Sequence, residues 1–157
     1  MPNIDLHHHI NIPAAEELAA SERKRRPQHA DGFENFFPPV SAEHNRRLNQ
    51  ERWAVQLRDA QRKVADMKAD RLDMALVSTS PPHFFYWIGG TLGNEVCRVT
   101  NDGISAFCKK DAAHFRGLGN VPLQNGGEAA AAELERAMRL GLLGCVGFRS
   151  RDSTSVL

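Results

Sequence analysis

The stretch Leu72-Asp73-Met74-Ala75-Leu76-Val77-Ser78-Thr79-Ser80-Pro81-Pro82 decides the architecture. Leu72 to Val77 is a short, almost continuous apolar run, the pattern of a strand buried on both faces. Ser78 to Pro82 supplies its turn. On the N-terminal side, Leu57, Ala60, Val64 and Met67 recur at spacings of three and four, one face of an amphipathic helix. On the C-terminal side, Thr91 is placed to cap a helix in which Leu92, Val96 and Val99 share a face. Local turn rules end that helix at Asn101-Asp102-Gly103, although Ile104 to Lys110 offers material to resume it. Phe115 to Val121 predicts another strand, interrupted by Gly117 and Gly119 and closed by Pro122. Glu128 to Leu140 is Ala-rich, with Leu134 and Met138 four apart, and predicts a helix. Gly144 to Phe148 is a last, short strand.

Working back to the start, Asn3 to Leu6 is short and partly apolar and runs into His7-His8-His9. Pro13 stops that extension, and Glu16 to Arg26 predicts a short surface helix. From Pro27 to about Gln50 the chain is polar, broken by Gly32, Pro38 and Pro39, and carries the cluster Phe33, Phe36, Phe37. The whole stretch of about 11–56 therefore reads as one long loop, and loops of that length are commonly functional. The order is strand, loop, helix, strand, helix, strand, helix, strand. Such alternation argues for a parallel α/β sheet with right-handed crossovers, either open and doubly wound or part of a barrel.

Composition narrows the partners. The chain has 157 residues, with 20 Lys plus Arg against 19 Asp plus Glu. That balance gives no electrostatic case for nucleic acid or an anionic membrane. The run Arg23-Lys24-Arg25-Arg26 reads as a solvated patch. There is no apolar leader and no window long enough to span a membrane. Cys97, Cys108 and Cys145 show no paired spacing and read as reduced thiols of a cytoplasmic protein.

The chemistry concentrates at His7 and His9. Residues two apart on a strand face the same way, so both imidazoles project to one side and His8 to the other. Two neutral imidazoles at that separation suit zinc or a similar divalent ion. The spacing alone leaves a second reading open, that of surface histidines near a terminus. The native-looking Ile4-Asp5-Leu6 before them argues against an appended tag. His83, after the second strand, faces the same end of the sheet, as a pocket residue or a loop residue. His29, His44 and His114 lack paired spacing and read as surface residues. Gly117-x-Gly119 is no dinucleotide fingerprint, and neither a nucleophile elbow nor a phosphate loop is present.

Three segments together resemble the amidohydrolase-related family, in its aminocarboxymuconate-semialdehyde decarboxylase-like branch. They are Ile4 to Ile10, with the spacing D-x-H-x-H; Met74 to Trp87; and Phe115 to Gln124, followed by Ala132 to Met138 and a Gly-Leu-Leu-Gly stretch. The resemblance covers residues 3 to about 147 and implies a TIM-type (β/α) barrel, truncated to about its first four β/α units. Residues 148–157 form a polar tail outside it. It also implies that the helix continues through Asn101-Asp102, against the local turn rule.

Function follows from the same resemblance. It implies a single divalent metal, commonly zinc, with His7 and His9 as two ligands. The activity implied is non-oxidative decarboxylation of an unsaturated or aromatic acid, with a hydrolase of the same superfamily as the alternative. Arg52 lies near the place of an arginine that holds a substrate carboxylate in the family; a surface arginine is the other reading. The family's remaining ligands and acid–base groups come from later strands and have no counterpart in this sequence. A full barrel takes roughly 250 residues. The expectation is therefore a chain that is catalytically silent alone, or a non-catalytic interaction module with weak metal binding. Its open strand edges invite pairing with a second copy.

Overall fold

The computed structural model describes residues 1–25 and 39–147. Arg26, His29, the Phe33, Phe36, Phe37 cluster and the 148–157 tail lie outside the described residues. The central strand, β2 (Met74–Thr79), forms on the expected apolar run, starting two residues late. Its Ala75 and Val77 are fully buried. β1 (Ile4–Ile10) pairs with one edge of β2 and β3 (Phe115–Gly117) with the other, both in parallel.

β3 is shorter than the expected Phe115–Val121, as glycines that pack no side chain would make it. Its direction persists nonetheless, since the Leu118 N–H donates to the Val77 carbonyl at 2.9 Å. The expected fourth strand is reduced to one parallel bridge, Gly119 opposite Cys145. Around it, the Leu143, Gly119 and Val146 N–H groups donate to the Gly117, Gly144 and Gly119 carbonyls, each at 2.9 Å. Neighbours in sequence are thus neighbours in space, β1, β2, β3 and then the Cys145 segment. A doubly wound sheet would reverse its strand order at a switch point. This one does not reverse within the described residues.

Helices cover one face. α1 (Pro13–Arg25) begins three residues before the expected start, because a proline at the first helical position gives up only an N–H that would be unpaired anyway. Much of the expected 11–56 loop is helical. After α1 come α2 (Pro39–Leu48), a π-helical turn (Asn49–Trp53) and α3 (Ala54–Gln56). α2 and α3 escape a periodicity reading because their described side chains are exposed or only half-buried. α4 (Ala60–Ala69) is capped by Asp59, whose carboxylate accepts from the Gln61 and Arg62 N–H groups. Leu57 therefore falls outside the helix it was expected to join. No helix among the described residues is long and apolar enough to cross a membrane.

α5 (Gly90–Lys110) runs 21 residues without a break, with Gly89 rather than Thr91 at its cap. It passes through Asn101-Asp102-Gly103 because Asn101 is not a turn residue here but a fully buried one. Its side-chain Nδ2 donates to the Asn120 carbonyl (2.9 Å) and to Glu133 Oε1 (2.7 Å), and its Oδ1 accepts from the Asn120 N–H (2.7 Å). Glu133, on α6 (Gly127–Arg139), is held in turn by the Arg136 guanidinium, which also reaches Asp102 at 2.7 Å. This network ties α5, α6 and the segment after β3 together. Between helices and sheet, Ile104, Phe107, Phe115, Val77 and Ala137 form the core. The Phe107 and Phe115 ring centroids lie 5.1 Å apart. Gly93 permits a close approach, since a Cβ there would overlap the Ile88 carbonyl oxygen.

Candidate metal centre

β1 does not pair evenly with β2. Asp5 sits opposite Ala75 and His8 opposite Val77, so three steps on β1 match two on β2. The extra residue is a bulge, a device that re-aims side chains and recurs beside active sites. Ala75 and Val77 face the helix layer, so Asp5 and His8 share that side. His9 pairs with Ser78, one residue on, and projects to the opposite face.

His7 joins His9 there. Their Nε2 atoms are 2.9 Å apart and their rings meet edge to face. Two nitrogens each about 2.1 Å from one tetrahedral or right-angled ion stand roughly 3 to 3.4 Å from one another. The observed separation is close to that span, so the pair fits two sites on a single ion. Burial first, and the neighbouring His7 second, push the His9 imidazole below its ordinary range. The neutral form that a metal requires is thereby favoured. His9 Nδ1 is buried without a well-formed hydrogen bond, although the Ser78 backbone lies beside it.

Other expected residues separate into groups. His83, in the 3₁₀ turn Pro81–Phe84, is held by Ser80 Oγ at 2.8 Å on Nδ1 and stands 3.2 Å from Glu16 Oε1 through Nε2. The second oxygen of Glu16 takes the Arg58 guanidinium at 2.8 Å. The His83 hydrogen bond keeps the Glu16 carboxyl below the usual range despite its burial. His83 is therefore a loop residue tied by hydrogen bonds to Ser80 and Glu16 at the C-terminal end of the sheet. Arg52 lies exposed on the π-helical turn, and no described side chain pairs with it. His44 is exposed, and His114 closes on Asp111 at 2.9 Å, as surface residues do. Among the described residues no group of three or more His, Cys, Asp or Glu side chains is arranged to hold a metal.

Two residues near the pair went unread in the sequence. Lys63 on α4 is 6% exposed, and burial pushes its ammonium down to about 8 although Asp66 and Asp5 pull the other way. Its only sequence signal was a lysine on the apolar side of an amphipathic helix. Asp5 was seen only as the first letter of D-x-H-x-H.

The comparisons bear on this geometry. No family model matches the chain. The 2-amino-3-carboxymuconate-6-semialdehyde decarboxylase of Dictyostelium discoideum is 30% identical over 83 residues, 52% of this chain and 23% of that protein. Among solved structures, a dihydroxybenzoic acid decarboxylase from a Polaromonas species, with bound manganese and the inhibitor 2-nitroresorcinol, superposes with a TM-score of 0.64. It is 26% identical and covers 100% of this chain and 42% of its own. Both are decarboxylases, and this chain is similar to part of each. A 5-carboxyvanillate decarboxylase from Novosphingobium aromaticivorans, complexed with manganese and 4-hydroxy-3-methoxy-5-nitrobenzoic acid, has the same fold at 24% identity. Its TM-score is 0.69, with 92% of this chain and 40% of its own covered. The present chain thus corresponds to less than half the length of these relatives. The two solved structures hold manganese, a divalent ion, and do not single out zinc.

Proposed function

We propose that this chain carries the first-strand part of a single divalent-metal site for non-oxidative decarboxylation of an aromatic or unsaturated carboxylic acid. The 2.9 Å approach of His7 Nε2 to His9 Nε2 carries this reading. The two imidazoles would hold the ion in neutral form. A bound divalent ion supplies Lewis acidity toward a carboxylate or carbonyl oxygen. The side chains of this chain hold and orient. His9, half-buried, keeps water from one side of the pair, while exposed His7 leaves the other side approachable. Arg52 is proposed as the group that receives the substrate carboxylate, since a guanidinium fork suits one and no described side chain pairs with it. Zinc is the proposed ion on donor chemistry, imidazole nitrogen being a good zinc ligand.

The sheet is read here as a barrel wall, its unreversed strand order supporting that geometry. β1 is a terminal strand of the described sheet, and its free edge supports assembly with a second copy. Free thiols at Cys97, Cys108 and Cys145 support a reducing, cytoplasmic setting. A second reading, metal binding without catalysis, is favoured by the absence of a three-ligand group among the described residues. Metal content and mass measured on one purified sample separate the two. About one metal per chain in a discrete oligomer, with carbon dioxide released from a dihydroxybenzoate, supports decarboxylation. Metal bound without release leaves the second reading. A metal-free protein that fails to take up zinc or manganese removes both.

A further inference from the structure

The imidazole pair depends on a strand that departs from regular geometry, and one side chain spans the departure. Asp5 opens the bulge and His8 closes it. One Asp5 carboxylate oxygen, Oδ1, accepts the His7 backbone N–H at 2.9 Å. The other, Oδ2, meets His8 Nδ1 at 2.8 Å. An ionised carboxylate only accepts, so the proton of that second bond sits on His8 Nδ1. Side chains three apart on a regular strand face opposite ways; the bulge is what lets Asp5 and His8 meet. A residue that binds both the backbone of His7 and the ring of His8 sets how far the chain turns between them. That turn decides whether His7 and His9 converge on one point.

We infer that Asp5 is a positioning residue, a clamp across the β1 bulge that holds the His7 and His9 imidazoles at chelating distance for a divalent cation. The inference rests on the metal reading of those two histidines. Asp5 lies on the helix side of the sheet and is no ligand itself. It acts through backbone geometry.

The test uses the full chain and Co²⁺ alone, followed by visible absorption, with thermal melting recorded on every variant. Wild type should show a Co²⁺ spectrum that vanishes in His7→Ala/His9→Ala. Asp5→Ala should weaken Co²⁺ binding by about 10- to 100-fold, the usual cost of losing a group that orients a ligand, and should alter band positions. Asp5→Asn should recover most of the affinity, because its amide oxygen still accepts from His7 N–H and its amide nitrogen can donate to His8 Nδ1. His8→Ala keeps the backbone half of the clamp and should lose severalfold less than Asp5→Ala. A folded Asp5→Ala protein with wild-type affinity and spectrum overturns the clamp and leaves the metal pair standing. If Asp5→Ala does not fold, unchanged Co²⁺ affinity and spectrum in folded His8→Ala overturns it instead. Wild-type protein with no histidine-dependent Co²⁺ binding sinks the metal reading itself, and the clamp with it.

Discussion

Two polar clusters in this molecule are built on opposite principles. The Asn101 cluster, inside α5 and α6, is closed. Asn101, Asn120, Glu133 and Arg136 satisfy one another, with both Asn101 amide atoms engaged at 2.9 Å or less. The His7–His9 pair on β1 is open. Its Nε2 atoms face each other, one Nδ1 is buried without a well-formed bond, and His7 is exposed. A closed network contributes to the fold because breaking it strands buried groups. An open one contributes little to the fold and is available to something from outside. Polar residues of similar type thus take structural or functional roles according to whether the chain itself completes their hydrogen bonds.

The contrast is sharpest in stability. Asn101→Ala strands the Asn120 N–H in the interior and removes one of two donors from each of the Asn120 carbonyl and Glu133 Oε1, and should lose about 3 kcal/mol. Urea unfolding measures it; a loss under about 1 kcal/mol would mean that water closes the network as well as Asn101 does. Next in size is Lys63, on the helix side of the open region. Its ammonium is depressed from 10.5 to about 8 in the folded chain. Between those values the unfolded chain binds more protons, so stability should rise as pH increases from about 8 to 10.5. Lys63→Met should stabilise the protein at pH 7 by roughly 2 kcal/mol and abolish that rise. A flat profile in the wild type would place the ammonium in contact with water.

Smaller again is the effect of emptying the open cluster. His7→Ala/His9→Ala should change stability by less than about 1 kcal/mol while removing metal uptake, the reverse of Asn101→Ala. A loss comparable to that of Asn101→Ala would erase the distinction between the two clusters. Smallest is the exposed Arg62–Asp66 pair on α4, at 3.0 Å. Arg62→Ala should cost no more than about 0.5 kcal/mol, less in high salt.

Much of the fold was legible because burial on both faces writes an apolar run and burial on one face writes a period. β2 and α6 were read that way, within two residues at each end. α2 and the turns after it were not, because a helix that buries little carries no period to read. The turn rule at Asn101-Asp102-Gly103 failed for a related reason. It weighs local conformational preference, whereas Asn101 is committed to Asn120 and Glu133, 19 and 32 residues away.

The sequence by itself determined an alternating α/β chain, a pair of histidines two apart, and a resemblance to a family. Each rests on short-range regularity: a period, a spacing, a motif. Only the tertiary structure decided that those histidines meet at 2.9 Å, that Asp5 spans the bulge beside them, and that Lys63 is buried. These depend on how β1 registers against a strand some 70 residues away. Register is set by packing across that distance, and no local pattern carries it.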